Sequence, residues 1–110
     1  MRQGEIWYAD LEPAIGSEQA GVRPVVVISG NTLNETLPIV IVVPLSTKIK
    51  AYPACVAISA TTKSGLRDDS EAIAFQVRAV SKKRLTKRLG VVSKSELHGI
   101  LKGLLTVLTH

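Results

Sequence analysis

The chain has 110 residues, 45% of them hydrophobic, a formal net charge of +5 and an isoelectric point near 9.7. That length holds one modest core, so a single domain over 1–110 is expected, and the charge favours an anionic partner without choosing among nucleic acid, acidic protein and anionic surface. Cys55 is the only cysteine, which excludes an internal disulfide and a cysteine-based zinc site. The start Met1-Arg2-Gln3-Gly4-Glu5 carries no apolar signal core, and the longest apolar runs are strand-length and interrupted by proline, so no membrane segment and a cytoplasmic location are expected.

In chain order, Gly4 to Leu11 reads as a first strand, with Ile6 and Trp7 on opposite pleat faces and Glu12-Pro13 closing it. Trp7 and Tyr8 are half of the four aromatics; they suit core packing or a base-stacking platform. A polar loop bracketed by Gly16 and Gly21, where positive φ is available, leads through Arg23-Pro24 into a second strand at 24–29. Arg23 is thereby held where mobile loop meets rigid sheet. Its guanidinium either solvates a strand end or presents a planar fork of donors to a phosphate, and this stretch alone leaves both open.

Gly30-Asn31 opens a polar turn, and a third strand follows at 38–45, ended by Pro44. The second and third strands are apolar on both faces and are expected at the buried centre. Ser46-Thr47-Lys48-Ile49-Lys50 leaves that centre as a hydroxyl pair followed by two cations. Tyr52-Pro53 turns into a strand over 54–58, and 61–70 has the composition of a surface loop. Strand character resumes over 71–80, with Ile73, Phe75 and Val77 on one face and Gln76 and Arg78 on the other. A turn at 81–85 and a last strand at 86–92 follow; five of the seven residues from Lys82 to Arg88 are cationic, as suits a solvated turn or a phosphate contact. Ser93 and Glu96 form a capping box for an amphipathic helix whose apolar face is Leu97, Ile100, Leu101, Leu104, Leu105 and Leu108. Gly99 and Gly103 each cost that helix about 1 kcal/mol relative to Ala, a cost that packing has to offset.

The chemistry available is narrow. His98 lies in the terminal helix and His110 is the last residue, so a histidine acid–base pair is implausible. Asp68-Asp69-Ser70-Glu71 is an acidic loop with no histidine at ligand spacing, so neither a metal nor another cofactor is expected. No Gly-rich phosphate loop precedes a helix and no Gly-x-Ser-x-Gly elbow is present, which removes nucleotide hydrolysis and acyl transfer. What remains is Arg23 at the start of one central strand and Ser46-Thr47 at the end of the next. If those strands pair antiparallel, guanidinium and hydroxyl come together and can hold a phosphate.

Taken in order, Gly4-Glu5-Ile6-Trp7 with Asp10-Leu11 and Pro13, Gly16-Ser17-Glu18-Gln19-Ala20-Gly21 with Arg23-Pro24, Val43-Pro44-Leu45-Ser46-Thr47, Tyr52-Pro53 and Gln76-Val77 resemble the MazF/PemK toxins of bacterial toxin–antitoxin systems, which are ribosome-independent endoribonucleases. The resemblance spans nearly the whole chain. It implies a mainly β, α+β fold: an SH3-like small β-barrel with appended helices, dimeric through its sheet. It implies metal-independent, sequence-specific cleavage of single-stranded RNA, in which the 2′-hydroxyl attacks the adjacent phosphate to leave a 2′,3′-cyclic phosphate and a 5′-hydroxyl.

By the same resemblance Arg23 matches the catalytic arginine and Ser46 the usual catalytic threonine, with Thr47 able to substitute. Glu18, Gln19, Tyr52 and Gln76 match positions lining the RNA groove, and Lys48 adds backbone attraction. Two positions depart from the pattern: Ser46 lacks the threonine methyl, and Phe75 stands where members commonly carry Asp or Glu. Expected partners are single-stranded RNA, a small acidic antitoxin and a second copy of the chain. The rival readings are a gyrase-binding toxin of the CcdB type, which shares the architecture and cleaves nothing, and an inactive SH3-like nucleic-acid-binding module.

Overall fold

The computed structural model describes residues 1–11, 16 and 21–110. Strand β1 (Glu5–Asp10) lies between β2 (Val22–Val27) and β7 (Leu85–Val91), antiparallel to both. Strand β2 pairs antiparallel with β3 (Ile39–Ser46), the longest strand of the sheet. The other edge of β3 is shared: residues 39–42 pair with β6 (Arg78–Ser81), and Leu45 and Ser46 pair with β5 (Ser70–Ile73), which in turn pairs with β4 (Cys55–Ile58). Pro44 therefore does not end β3. It falls in the interval between these two partners, where a missing N–H breaks no ladder. Likewise β2 starts at Val22, so Arg23 stands within the sheet, paired with Ala9 of β1.

The sheet order β4-β5-β3-β2-β1-β7 leaves β4 and β7 as unpaired ends, so the expected barrel is an open sheet. The turn after β4 supplies a backbone contact to β7 in place of a ladder, with Val91 N–H donating to Lys63 O at 2.9 Å. Two glycines allow this approach. A Cβ on Gly65 would lie 2.1 Å from Leu89 O, and one on Gly90 would lie 2.1 Å from Lys63 O.

One sheet face, with Ile6, Val26, Val43, Leu45 and Ile58, packs with Ile100 of helix α2 (Lys94–Thr109) into one core; Val25, Val27, Val40 and Val42 head a second core on the other face. Each of these residues is almost wholly buried, as expected of strands apolar on both faces. The capping box of α2 forms as read: Ser93 Oγ accepts from Glu96 N–H and Glu96 Oε1 from Ser93 N–H. Glu96 Oε2 also accepts from Ser59 N–H at 2.8 Å, tying the helix start to the end of β4. The helix glycines are explained by contact: a Cβ on Gly99 would sit 3.1 Å from Val56 Cγ1, and one on Gly103 would sit 3.0 Å from Ala54 O. Leu101, Leu105 and Leu108 of the expected apolar face are exposed, whereas Leu97, Ile100 and Leu104 face the sheet.

Two segments differ from expectation. The turn at Gly30-Asn31 opens a short helix α1 (Asn31–Thr36), held by Asn34, which is buried and bonded through its amide to Ser29. The strand expected over 71–80 is broken by a 3₁₀ turn at Ala74–Gln76 between β5 and β6. Phe75 and Val77 consequently face solvent and do not continue a buried row from Ile73. Among the described residues no helix is long and apolar enough to cross a membrane.

Candidate active site

The antiparallel pairing of β2 with β3 runs Val25 opposite Pro44, and two residues further along each strand stand Arg23 and Ser46. Start and end of the two central strands meet, as expected of an antiparallel pair. Beside them opens a cavity of about 710 Å³, lined by Arg23, Ser46, Thr47, Lys48, Tyr52 and Gln76 among others. Every expected site residue within the described chain therefore reaches one groove, although they come from β2, from β3 and the loop after it, and from the 3₁₀ turn. Glu18 and Gln19 lie outside the described residues. Gly16 and Gly21, which bracket their loop, have φ of 62° and 76°, the positive values expected there.

Arg23 is half-buried, and its Nη1 donates to Leu45 O at a long 3.5 Å. Ser46 is the last residue of β3 and its Oγ accepts from Lys48 N–H at 3.1 Å, which turns the chain beside the groove that Lys48 also lines. Thr47 follows the strand's end, so strand alternation no longer separates the two hydroxyls, and both line the cavity. Ser46 is the better fixed of the two, since its backbone belongs to a paired strand while Thr47 is exposed.

The residue that sequence reasoning missed is Glu71. It reads as the end of an acidic surface loop, yet it lies in β5 directly opposite Ser46 and is 4% exposed. Its carboxylate accepts from Lys50 N–H at 3.0 Å and from Ala51 N–H at 3.2 Å, and so fixes the wall of the groove. Ala51 and Ala54 have φ of 53° and 69°, left-handed values that a residue with a Cβ adopts only where its surroundings hold it. Glu71 holds the first, and the second lies where the Ala54 carbonyl comes close to Gly103 of α2. Neither signal was legible from spacing, because it depends on β4, β5 and the helix being brought together.

Cys55 also lines the cavity. Burial, together with the neighbouring Glu71 carboxylate, pushes its thiol above the ordinary range, which disfavours the thiolate. Trp7 packs against the second core and donates its indole N–H to Glu5 Oε1 at 3.1 Å, which settles it as a packing residue. Three of the five cations of the run at 82–88 are engaged elsewhere: Lys82 bonds to Asn34 O, Arg84 to Asp10 O at 3.1 Å, and Arg88 to Glu5 at 2.8 Å. Those three cations hold the fold together and do not line the groove. Among the described residues no three His, Cys, Asp or Glu side chains are grouped to hold a metal ion.

The family model described as PemK-like, MazF-like toxin of type II toxin–antitoxin system matches residues 2–108. Endoribonuclease MazF9 of Mycobacterium tuberculosis is 45% identical over 103 residues, covering 88% of this chain and 86% of that protein. Endoribonuclease MazF of Staphylococcus epidermidis is 40% identical over 99 residues, covering 88% and 82%. Among solved structures, MazF of Deinococcus radiodurans superposes with a TM-score of 0.87 at 22% identity, over 100% of this chain and 97% of that one. An endoribonuclease from a Mycobacterial species, solved in complex with its cognate antitoxin, superposes with a TM-score of 0.82 at 24% identity, over 98% and 94%. The likeness to these structures establishes the fold, and the extent of the family match establishes descent. The chain belongs to the PemK-like, MazF-like toxin family of type II toxin–antitoxin systems.

Proposed function

We propose that Arg23 and Ser46 carry the endoribonuclease activity of this MazF-type toxin, which cuts single-stranded mRNA and so arrests translation and growth. The observation that supports this is the meeting of a guanidinium and a hydroxyl at the junction of two buried strands, beside a groove flanked by Lys48 and Lys50. The reaction needs only the RNA's own nucleophile. The 2′-oxygen forms a bond to the adjacent phosphorus, the bond from phosphorus to the 5′-oxygen breaks, the 2′-hydroxyl proton is released and the 5′-oxygen takes one up. Arg23 stabilises the charge of the phosphorane and assists proton transfer, and Ser46 orients the phosphate by a hydrogen bond. Thr47 is the substitute should Ser46 not be the working hydroxyl.

Lys48, Tyr52 and Gln76 bind the strand along the groove, with Glu18 and Gln19 contributing from the Gly16–Gly21 loop. Single strands suit such a groove because unpaired bases can be splayed and read one at a time. The protein acts in the cytoplasm as a homodimer. A small acidic antitoxin neutralises it by laying a flexible tail in the same groove, where its carboxylates meet Arg23, Lys48 and Lys50. The test is incubation of purified protein with a long RNA in EDTA, followed by mapping of the ends. Cyclic phosphates at a recurrent short sequence are expected; intact RNA overturns the assignment.

A further inference from the structure

We infer that Tyr52 and Phe75 form a stacking platform for one unpaired base of the RNA in the groove, and that Phe75 selects that base by ring area. The inference rests on the endoribonuclease reading and adds to it the means of choosing a base at one position. Both rings line the cavity that holds Arg23 and Ser46, with centroids 6.4 Å apart and planes at 50°. Tyr52 is 52% exposed and Phe75 45%, whereas Trp7 and Tyr8 are half-buried against the sheet. The aromatic surface facing solvent is thus concentrated at the groove, where it gains by being covered.

The backbone that carries the rings is also fixed in place. Phe75 is the central residue of the 3₁₀ turn, and its neighbour Ala74 is wholly buried against α2, 3.5 Å from where a Gly103 Cβ would be. Tyr52 directly follows the backbone that Glu71 holds at Lys50 and Ala51. A ligand stacking here meets rings carried on backbone already placed, which lowers the ordering cost of binding.

Charge identifies the occupant as a nucleotide. Lys50 Nζ lies 5.9 Å from the Tyr52 ring centroid, and Lys48 lines the same wall, so an aromatic face and cations stand side by side. A base joined to its phosphate presents the matching pair of features. Phenylalanine has neither donor nor acceptor, so it reads no base edge. Its preference follows stacking area, purine over pyrimidine.

The test has two arms. In the first, a single-stranded RNA made uncleavable by 2′-deoxy substitution carries 2-aminopurine at successive positions. Quenching is expected at one position for wild type and Phe75→Tyr, and is expected to disappear in Phe75→Ala and Phe75→Leu. In the second, a random single-stranded RNA library is cleaved by wild type and Phe75→Ala. Purine enrichment at one position is expected to flatten in the variant, with KM raised about tenfold and kcat on the best RNA little changed. An unaltered base profile and KM in Phe75→Ala, with wild type cleaving RNA, overturns the platform alone. Unaltered RNA parameters with lost binding of an acidic antitoxin peptide assigns the rings to a protein partner and also overturns it. RNA left intact by wild type removes the endoribonuclease reading and this inference together.

Discussion

Ser46 and Glu71 are direct cross-strand partners at the ends of β3 and β5, so the hydroxyl proposed to act in catalysis stands beside a buried carboxylate that bonds to the groove wall. Replacing Glu71 by Ala leaves the Lys50 and Ala51 amides unpaired and releases Ala51 from its left-handed conformation. A loss of about 2–3 kcal/mol in urea unfolding is expected. Glu71→Gln, which keeps one acceptor oxygen, is expected to fall between wild type and Ala, and single-turnover cleavage by the folded variants should decline in the same order. Equal stability of Glu71→Ala and wild type would remove the wall-holding role.

Substitution within the site separates its parts. Ser46→Ala is expected to slow cleavage by on the order of 10² to 10³, the effect of losing one donor to transition-state charge. Thr47→Val is expected to cost far less, and Ser46→Thr to be neutral or better. Arg23→Lys is expected to be nearly as damaging as Arg23→Ala, because an ammonium cannot reproduce the planar fork. The measurement is single-turnover cleavage of one fluorogenic RNA after circular dichroism confirms folding. Full activity in Ser46→Ala with loss in Thr47→Val transfers the role to Thr47.

The glycines divide by what surrounds them. Gly65→Ala and Gly90→Ala each drive a Cβ to 2.1 Å from a backbone oxygen, so both are expected to fail to fold or to lose more than about 4 kcal/mol. Gly30 has φ of −65° and open space around it, and Gly30→Ala is expected to stay within about 0.5 kcal/mol of wild type. Thermal melts of the three variants check this contrast.

Acid stability has a local contributor in Glu5. Burial disfavours its charge, but the Arg2 N–H, the Trp7 indole and the Arg88 guanidinium outweigh burial and hold its carboxyl below the ordinary range. A depressed folded-state value means that the stabilisation is present above the unfolded carboxylate pKa and is lost as pH falls through the folded one. Unfolding measured between about pH 3 and pH 7 is expected to show a shallower acid limb in Glu5→Gln than in wild type.

Self-association is expected from surface left uncovered. Leu101, Leu105 and Leu108 are 40, 61 and 79% exposed at spacings that put them on one side of α2, an apolar stripe that gains by being covered. Light scattering is expected to report a dimer at micromolar concentration, and a monomer throughout would remove the expectation.

What the sequence made legible was whatever periodicity or capping chemistry writes down. The two central strands announce themselves by unbroken apolar runs, α2 by its capping box, and the Arg23–Ser46 meeting follows once those strands pair. Short elements held by tertiary contact were not legible. Helix α1 is six residues with no side-chain cap and depends on buried Asn34, which looks like any turn asparagine. The alternation of Ile73, Phe75 and Val77 imitates a strand, yet packing of Ala74 against α2 turns the chain there and sends Phe75 outward. Glu71 was hidden for the opposite reason, since a buried carboxylate and a solvated one are written with the same letter.

The close seating of Gly103 against the Ala54 carbonyl has a consequence for the groove wall. Ala54 ends the loop whose other end begins at Ser46, so a methyl added at Gly103 on the rear of the molecule presses on the groove wall from behind. A change that touches neither Arg23 nor Ser46, Gly103→Ala, is therefore expected to displace the Ala54 carbonyl by a few tenths of an ångström. The rear face of α2 thus bears on the groove through the Ala54 backbone, at a distance from the residues proposed to do the chemistry.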